Sequence, residues 1–275
     1  MAPPLFACFA GGREVASSSR SPPEAKATAD LTAEEQRRMG PVLVELFSSQ
    51  GCATSPDAEE VVSRLCRGEL RRGDLPPVAL LEFHVEYWDY RGWRDPFGSS
   101  IWTVRQKAYV EALRLDTLYT PQVVVNGRAQ CVGTDVDAIC AAIQSAPRFP
   151  SPTMQVKLNR AADGTVLQVS LSGALGTRID GGGADVMVGL YESGLVTECA
   201  QGENRGRVLR NDFVVRRLEK LSHVKNISPK KKVSGSVRFA LWEGFDAANC
   251  GLLVFVQNGS LHTFGIQQLQ IPDGI

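Results

Sequence analysis

The sequence predicts an α+β protein, in which an α/β half is followed by an all-β half. Two observations lead to this prediction. Up to residue 146, strand-like apolar runs alternate with segments whose apolar residues recur at helical spacing. After the proline-rich stretch 147–152, apolar and polar residues alternate instead, which is the period of a half-buried strand. At 275 residues the chain is long enough for two domains, each with its own core.

The first half contains four predicted strands and three predicted helices. A proline and several acidic residues begin the first helix, and an Asn-Gly turn joins the last two strands into a hairpin. The predicted order is therefore β-α-β-α-β-β-α. In chain order the segments are strand 41–48, helix 56–70, strand 78–85, helix 99–113, hairpin 122–133 and helix 135–143.

The second half is predicted to contain strands and turns. Strict alternation is seen in MQVKLNRA and TVLQVSLSGAL, and four more apolar runs follow without a strong helix between most of them. Several short strands with turn signals indicate an all-β sandwich. We therefore predict a disordered tail over residues 1–39, an α/β domain over 40–148 and a sandwich-like domain over 149–275.

Charge, hydropathy and cysteine content narrow the class of protein. Thirty basic and thirty acidic residues cancel, so nothing in the net charge indicates a nucleic acid or an anionic membrane as partner. No apolar run approaches the ~20 residues that a membrane helix needs. Seven scattered cysteines without a C-x-x-C pair favour a reducing, cytoplasmic location, although organelle targeting by the tail stays open. No cofactor and no metal are predicted.

The stretch ELFSSQGCATSPDAEE, residues 45–60, places one cysteine at the start of the first predicted helix. Unpaired N–H groups at a helix start favour the reactive thiolate of Cys52, while the acidic residues of the same turn oppose it. Ser55 stands where a C-x-x-C motif would have its second thiol, and we expect Ser55 to cap the helix and to hydrogen-bond the Cys52 sulphur. A simpler interpretation is that Cys52 is a small, half-buried turn residue.

The segment EFHVEYWDYRGWRDPFG, residues 82–98, ends the second predicted strand and concentrates acids, a histidine and large aromatics. Sites of α/β sheets lie at the carboxyl ends of strands. We therefore predict a substrate-binding wall here. Two alternatives stay open, namely a structural loop and a metal or acid–base site at His84, Glu86 and Asp89. The wall residues are His84, Glu86, Trp88, Asp89 and Trp93, joined by Thr120 from the segment YTPQVVV.

Four stretches together resemble a family of thioredoxin-like proteins of bacteria and plants that is catalogued as a domain of unknown function. They are ELFSSQGC, FHVEYWDYRGWRDPFGS, YTPQVVVNG and GENRGRVLRNDFVVR, and the match covers roughly residues 40–272. The resemblance implies a thioredoxin-like first domain, a β-rich second domain and a cis peptide bond at Pro121 facing the helix of Cys52. Bacterial members are expected to carry G-C-x-x-C-P, so Ser55 replaces their second cysteine. The long tail resembles plant members.

Two functions of different classes follow. The first is thiol–disulfide exchange, or the holding of protein thiols or glutathione as mixed disulfides, at a monothiol Cys-x-x-Ser site of Cys52, Ser55 and Pro121. A single thiol needs an outside thiol to complete a cycle. The second is a redox-inactive thioredoxin-fold module that binds a protein. The sequence leaves open whether the chain is an enzyme, which partner it has and how it oligomerises.

Overall fold

The computed structural model describes residues 39–70, 74–272 and 274–275. These ranges contain three α-helices and thirteen strands. The helices are α1 (Ser55–Cys66), α2 (Ser100–Ala112) and α3 (Val136–Ser145). The strands are β1 (Val42–Ser48), β2 (Val78–His84), β3 (Gln122–Val125), β4 (Ala129–Val132), β5 (Thr153–Arg160), β6 (Val166–Ala174), β7 (Ala184–Glu192), β8 (Leu195–Glu198), β9 (Val208–Asn211), β10 (Val214–Val224), β11 (Lys232–Ala240), β12 (Cys250–Asn258) and β13 (Thr263–Gln270).

The largest unit is a mixed eight-stranded sheet with the order β13-β12-β7-β10-β2-β1-β3-β4. In this order, the first four strands come from the second half of the chain and the last four come from the first half. The halves join where β10 lies parallel to β2, with Val214 opposite Glu82. The backbone N–H of Glu82 also donates to the carbonyl of Phe213 at 2.9 Å. This pairing makes one sheet out of the two halves.

Smaller sheets and the helices cover this large sheet. A three-stranded sheet, β11-β6-β5, contributes Leu167 and Phe239 to a core shared with β7 and β12, and β8 pairs with β9 as a separate hairpin. Helix α2 contributes Tyr109 to a second core, where Phe47 of β1 lies in one cluster with Phe255 of β12. Helices α1 and α3 pack on β1 and β3 in a third core. The second core therefore contains residues from both halves, as the continuous sheet requires.

The predicted fold class, a thioredoxin-like α/β domain followed by an all-β sandwich-like domain, is wrong. The chain is mostly β, and strands from both predicted regions form one mixed sheet. The physical reason is visible in β12, which is buried along almost its whole length. Such a strand is covered on both faces and belongs in the interior of a large sheet. Sequence periodicity detects the strand but not its neighbours.

Several local predictions agree with the structure. The order β-α-β-α-β-β-α is confirmed from β1 to α3, and the hairpin β3–β4 turns at Asn126 and Gly127. The boundary predicted at residues 148 and 149 falls between α3 and β5, and the division into two domains stays a prediction. Of the predicted tail, 1–39, all but the last residue lies outside the described residues. No helix within the described ranges is long and apolar enough to span a membrane.

Candidate functional site

Cys52 lies in the tight turn that connects β1 to α1. The turn is closed by a hydrogen bond from the Cys52 N–H to the carbonyl of Ser49 at 3.0 Å, and Pro56 stands in the first turn of the helix. Cys52 is 5% exposed. Its sulphur is 3.6 Å from the hydroxyl of Thr54 and 3.6 Å from the carbonyl oxygen of Thr120. The thiol therefore sits between the helix start and the segment before β3.

The Cys52 thiol is more acidic than an ordinary cysteine. Burial pushes its pKa up, but hydrogen bonds from Ser55, Thr120 and Thr54 to the sulphur outweigh burial, so that the pKa is lowered. Four other cysteines behave in the opposite way. Burial raises the pKa of Cys66 and Cys131 to about 11 and that of Cys250 to about 12, and it also raises the pKa of Cys199.

Ser55 does not occupy the cap position predicted for it. The N-cap of α1 is Thr54, whose side chain makes no cap hydrogen bond, and Ser55 is the first helical residue. Its hydroxyl is buried and accepts the Ser49 N–H at 3.4 Å, because the side chain points into the turn rather than back over the helix start. The Ser55 side chain also acts on the Cys52 sulphur, where its hydrogen bonding lowers the pKa of the thiol.

The acidic residues near the helix start oppose the thiolate less than the sequence indicates. Asp57 forms an ion pair with Arg207, whose Nη2 is 2.7 Å from Oδ1. Glu59 is buried, and burial raises its pKa above the ordinary value, so that its charged form is disfavoured. One carboxylate is therefore paired and the other is easier to protonate.

Thr120 lies beside the Cys52 sulphur, and Pro121 follows it directly before β3. The Thr120–Pro121 peptide bond is cis, which confirms the expectation from the resemblance. The indole N–H of Trp88 donates to the Thr120 hydroxyl at 2.7 Å. Gly51 packs so closely on Trp88 that a Cβ at Gly51 would come within 3.0 Å of the Trp88 Cβ. The fold thus gathers Trp88, Thr120 and Pro121 around Cys52.

Trp93 reaches the same turn through Gln50. The indole N–H of Trp93 donates to Oε1 of Gln50 at 3.2 Å, and the Gln50 amide donates to Oδ1 of Asn211 at 2.8 Å. The Gln50 backbone N–H donates to Oδ2 of Asp95 at 2.7 Å. Gln50, two residues before the thiol, is therefore held by three side chains from two separate segments of the chain.

His84 is fully buried below this turn. Its Nδ1 lies 2.8 Å from Oδ2 of Asp95, and its Nε2 lies 4.0 Å from Oε1 of Glu59. Burial lowers the pKa of His84, but the neighbouring Asp95 and Glu59 carboxylates outweigh burial and raise it. Burial raises the pKa of Asp95, but the charge and the hydrogen bond of His84 outweigh burial, so the pKa of Asp95 is lowered. Each of these two pKa shifts favours the charged form of its group, and hence the ion pair between His84 and Asp95.

Glu86 and Asp89, also predicted as wall residues, bind helix α2 and the backbone of the loop respectively. Glu86 accepts a hydrogen bond from the Thr103 hydroxyl of α2, and Asp89 accepts the backbone N–H of Asp95 at 3.2 Å. Burial raises the pKa of Asp89. Within the described residues, no three or more His, Cys, Asp or Glu side chains group so that they could hold a metal ion.

Residues 43–257 match the family described as Protein of unknown function (DUF1223), which is well over half of the 275-residue chain. The chain is a DUF1223 protein. No curated protein matches it. The solved structure of protein AGR_C_4864 from Agrobacterium tumefaciens is 24% identical to it, with a TM-score of 0.58 over 85% of this chain and 96% of that one.

A second solved structure, HBP35 of Porphyromonas gingivalis, is 15% identical, with a TM-score of 0.57 over 85% of this chain and 76% of that one. At these identities the similarity shows the fold alone. The function of the DUF1223 protein must therefore be argued from its own residues.

The site of this DUF1223 protein includes residues that the sequence did not single out. The Asn204 amide donates to the Gln50 and Cys52 carbonyls, and the side-chain amide of Gln50, within the turn, donates to Asn211. The stretch GENRGR, residues 202–207, contains Asn204, whose side chain makes the contact with Cys52. A side chain that hydrogen-bonds to distant backbone carbonyls has no characteristic spacing in the sequence, so periodicity does not reveal it. Chemically, the site offers one acidic thiol beside hydroxyl and indole groups.

Proposed function

We propose that Cys52 is a monothiol site for thiol–disulfide exchange, which holds glutathione or a protein thiol as a mixed disulfide. One observation carries the proposal: the Cys52 sulphur lies among hydroxyl groups at a helix start, and its pKa is lowered, whereas burial raises the pKa of four other thiols. Because the thiolate is the nucleophile, the lowered pKa gives Cys52 the largest thiolate fraction of these five cysteines near neutral pH.

The reaction conserves electrons without any cofactor. The Cys52 thiolate attacks one sulphur of a substrate disulfide, the substrate S–S bond breaks, and the other substrate sulphur leaves as a thiolate. A mixed disulfide with Cys52 remains. An external thiolate then attacks the substrate sulphur of that mixed disulfide, and Cys52 leaves as a thiolate, which its lowered pKa favours. Ser55 has a hydroxyl and forms no disulfide, so the outside thiol is needed.

The test is alkylation of Cys52 by iodoacetamide as a function of pH, followed by mass spectrometry of the Cys52 peptide. We expect an apparent pKa below the ordinary ~8.5, and a glutathione adduct on Cys52 after incubation with glutathione disulfide. Cys52→Ser should abolish the adduct, and Cys131→Ser is the matched control that should retain it. An ordinary or higher pKa together with no adduct would refute the proposal.

A second function, a redox-inactive module that binds a protein, is favoured by a different observation. Tyr90 is 76% exposed and stacks on Trp88, with 6.4 Å between ring centroids, and the Arg91 guanidinium lies 5.3 Å from the Trp88 ring. Exposed aromatic and arginine side chains are enriched at binding hot spots. If this is the function, Tyr90→Ala loses a partner captured by the wild type, while Cys52→Ser keeps it. Loss of the partner in Cys52→Ser alone would exclude it.

A further inference from the structure

A side-chain amide from the second half of the chain binds the Cys52 turn directly. Nδ2 of Asn204 donates to the carbonyl oxygens of Gln50 and Cys52, each at 2.9 Å, and Asn204 is 1% exposed. Asn204 follows Cys52 by 152 residues. We infer that Asn204 is a positioning residue that fixes the Cys52 turn in its reactive geometry. This inference rests on the proposed function of Cys52.

The orientation of the Asn204 amide is itself fixed. Nη1 of Arg207 donates to Oδ1 of Asn204 at 3.0 Å, while Nη2 of the same guanidinium binds Asp57 of α1 at 2.7 Å. A rotated amide would place its oxygen against two carbonyls and its NH₂ group against a guanidinium, and all three contacts would be repulsive. Arg207 therefore connects the amide to the same helix that carries the thiol at its start.

The loop around Asn204 is closed by its own backbone. The Gly206 N–H donates to the Cys199 carbonyl at 2.7 Å, and the Cys199 N–H donates to the Arg207 carbonyl at 2.9 Å. Gly202 has a φ of +75°, and a Cβ there would come within 2.8 Å of the Trp93 Cβ. A closed loop that packs on Trp93 presents Asn204 from a defined position, as a positioning role requires.

The contact explains how the sulphur keeps its hydrogen bonds. The turn that Asn204 holds is the one that brings Thr54 and Ser55 to the Cys52 sulphur. Without the amide, two carbonyl oxygens in a buried turn lose their donor, and the turn must move to find another. Once the hydroxyls separate from the sulphur, burial is the main remaining influence on the thiol, and burial disfavours the thiolate.

The experiment compares Asn204→Ala with Asn126→Ala in the full-length protein. Asn126 is a matched control, because it is also buried and its side chain also binds backbone groups, the Leu43 N–H at 2.8 Å and the Pro147 carbonyl at 2.9 Å, away from the thiol. The readouts are the pH profile of Cys52 alkylation and the rate of glutathione adduct formation. Circular dichroism and denaturant unfolding establish that each variant is folded.

In Asn204→Ala we expect the alkylation midpoint to move to higher pH, with the rate near neutral pH reduced about 3- to 10-fold, since one pKa unit changes the thiolate fraction roughly tenfold. In Asn126→Ala we expect the wild-type midpoint. If Asn204→Ala does not fold, Arg207→Lys decides instead. It keeps the charge but loses the forked guanidinium that binds Asn204 and Asp57 together, and we expect a smaller shift in the same direction.

Three results would overturn the inference. They are a folded Asn204→Ala with the wild-type profile, an unfolded Asn204→Ala with a wild-type profile in Arg207→Lys, and an Asn126→Ala shift as large as that of Asn204→Ala. The wild-type arm separates this inference from the proposed function. If wild-type Cys52 has an ordinary pKa and forms no adduct, the proposed function fails. If the wild type reacts and only the Asn204 effect is missing, the positioning role fails alone.

Discussion

His84 and Asp95 form an ion pair in the interior of the protein, with 2.8 Å between Nδ1 and Oδ2 and neither side chain exposed. Asp95 also accepts the backbone N–H of Gln50, so the pair supports the Cys52 turn from below. The pKa of His84 is raised and that of Asp95 is lowered. Each shift is a contribution to stability that depends on pH.

Asp95→Asn should therefore destabilise the protein in a defined pH window. The Asp95 contribution is present above its unfolded pKa of about 4, and the His84 contribution is full below its unfolded pKa of about 6.5 and is lost as pH rises through the raised value. Removing one partner of a buried pair costs about 3–5 kcal/mol. We expect that loss between about pH 4 and 6.5, and a smaller one at alkaline pH.

Denaturant unfolding at several pH values measures this, with Asp185→Asn as the control. Asp185 and His223 form a similar pair, 2.7 Å apart, but are much more exposed, and exposed pairs contribute about 0–1 kcal/mol. Equal losses in the two variants, or a loss in Asp95→Asn that grows toward alkaline pH, would contradict the assignment.

Glu82→Leu should stabilise the protein. Glu82 is fully buried in β2, and neither of its carboxyl oxygens has a hydrogen-bond partner among the described residues. Burial raises its pKa well above the ordinary value, and the neighbouring Glu59 and Asp212 carboxylates add to this. The folded state therefore holds a proton that the unfolded state releases above about pH 4.3, and stability falls as pH rises through the raised pKa.

The gain from Glu82→Leu should accordingly increase with pH. We expect about 1–3 kcal/mol at mildly alkaline pH, from removing a buried polar group without partners, and less near pH 5. Glu60→Leu on the exposed side of α1 is the control and should change stability by less than about 0.5 kcal/mol. A pH-independent gain, or a loss, would mean that the Glu82 carboxyl is satisfied in solution.

Local signals in the sequence predict most of the individual elements. Helical periodicity, a proline at the start of α1 and the Asn-Gly turn of the β3–β4 hairpin each arise from neighbouring residues, so the order from β1 to α3 follows from them. The link between β2 and β10 is different. Val214 meets Glu82 across more than a hundred residues, and such a pairing depends on tertiary packing that no local pattern encodes. The architecture therefore differs from the prediction.

The residues of the candidate site also fall into two groups: those that local sequence signals indicate and those that only the fold brings into place. Cys52, Trp88 and Thr120 stand in short stretches with unusual composition, and the structure brings them together. Asn204 and Gln50 are ordinary polar residues until the fold places their amides against backbone or other amide groups. Neither the spacing nor the composition of the sequence indicates that a side chain will hydrogen-bond to a backbone carbonyl far along the chain.

Thr120→Val should make the Cys52 thiol less acidic. The substitution keeps the branched shape but removes the hydroxyl that lowers the pKa of Cys52 and that accepts the Trp88 indole N–H at 2.7 Å. We expect the midpoint of Cys52 alkylation to move to higher pH. Thr117→Val is the control, because the Thr117 hydroxyl is exposed and donates to its neighbour, the Leu118 carbonyl, at 3.2 Å. An unchanged midpoint in Thr120→Val would show that this hydroxyl does not act on the sulphur.

Gly133→Ala should destabilise the contact between Pro121 and α1. Gly133 lies between β4 and α3, and a Cβ there would come within 2.9 Å of the Pro121 Cβ and 3.1 Å of the Ala58 Cβ. Neither neighbour has a flexible side chain that could move away, so the backbone must shift, and overpacking of this kind costs about 1–3 kcal/mol.

Gly259→Ala is the matched control, since a Cβ at Gly259 meets nothing within 4 Å. We expect denaturant unfolding to show the loss in Gly133→Ala and a change below about 0.5 kcal/mol in Gly259→Ala. Similar stabilities for the two variants would mean that the packing around Pro121 is looser than this structure has it.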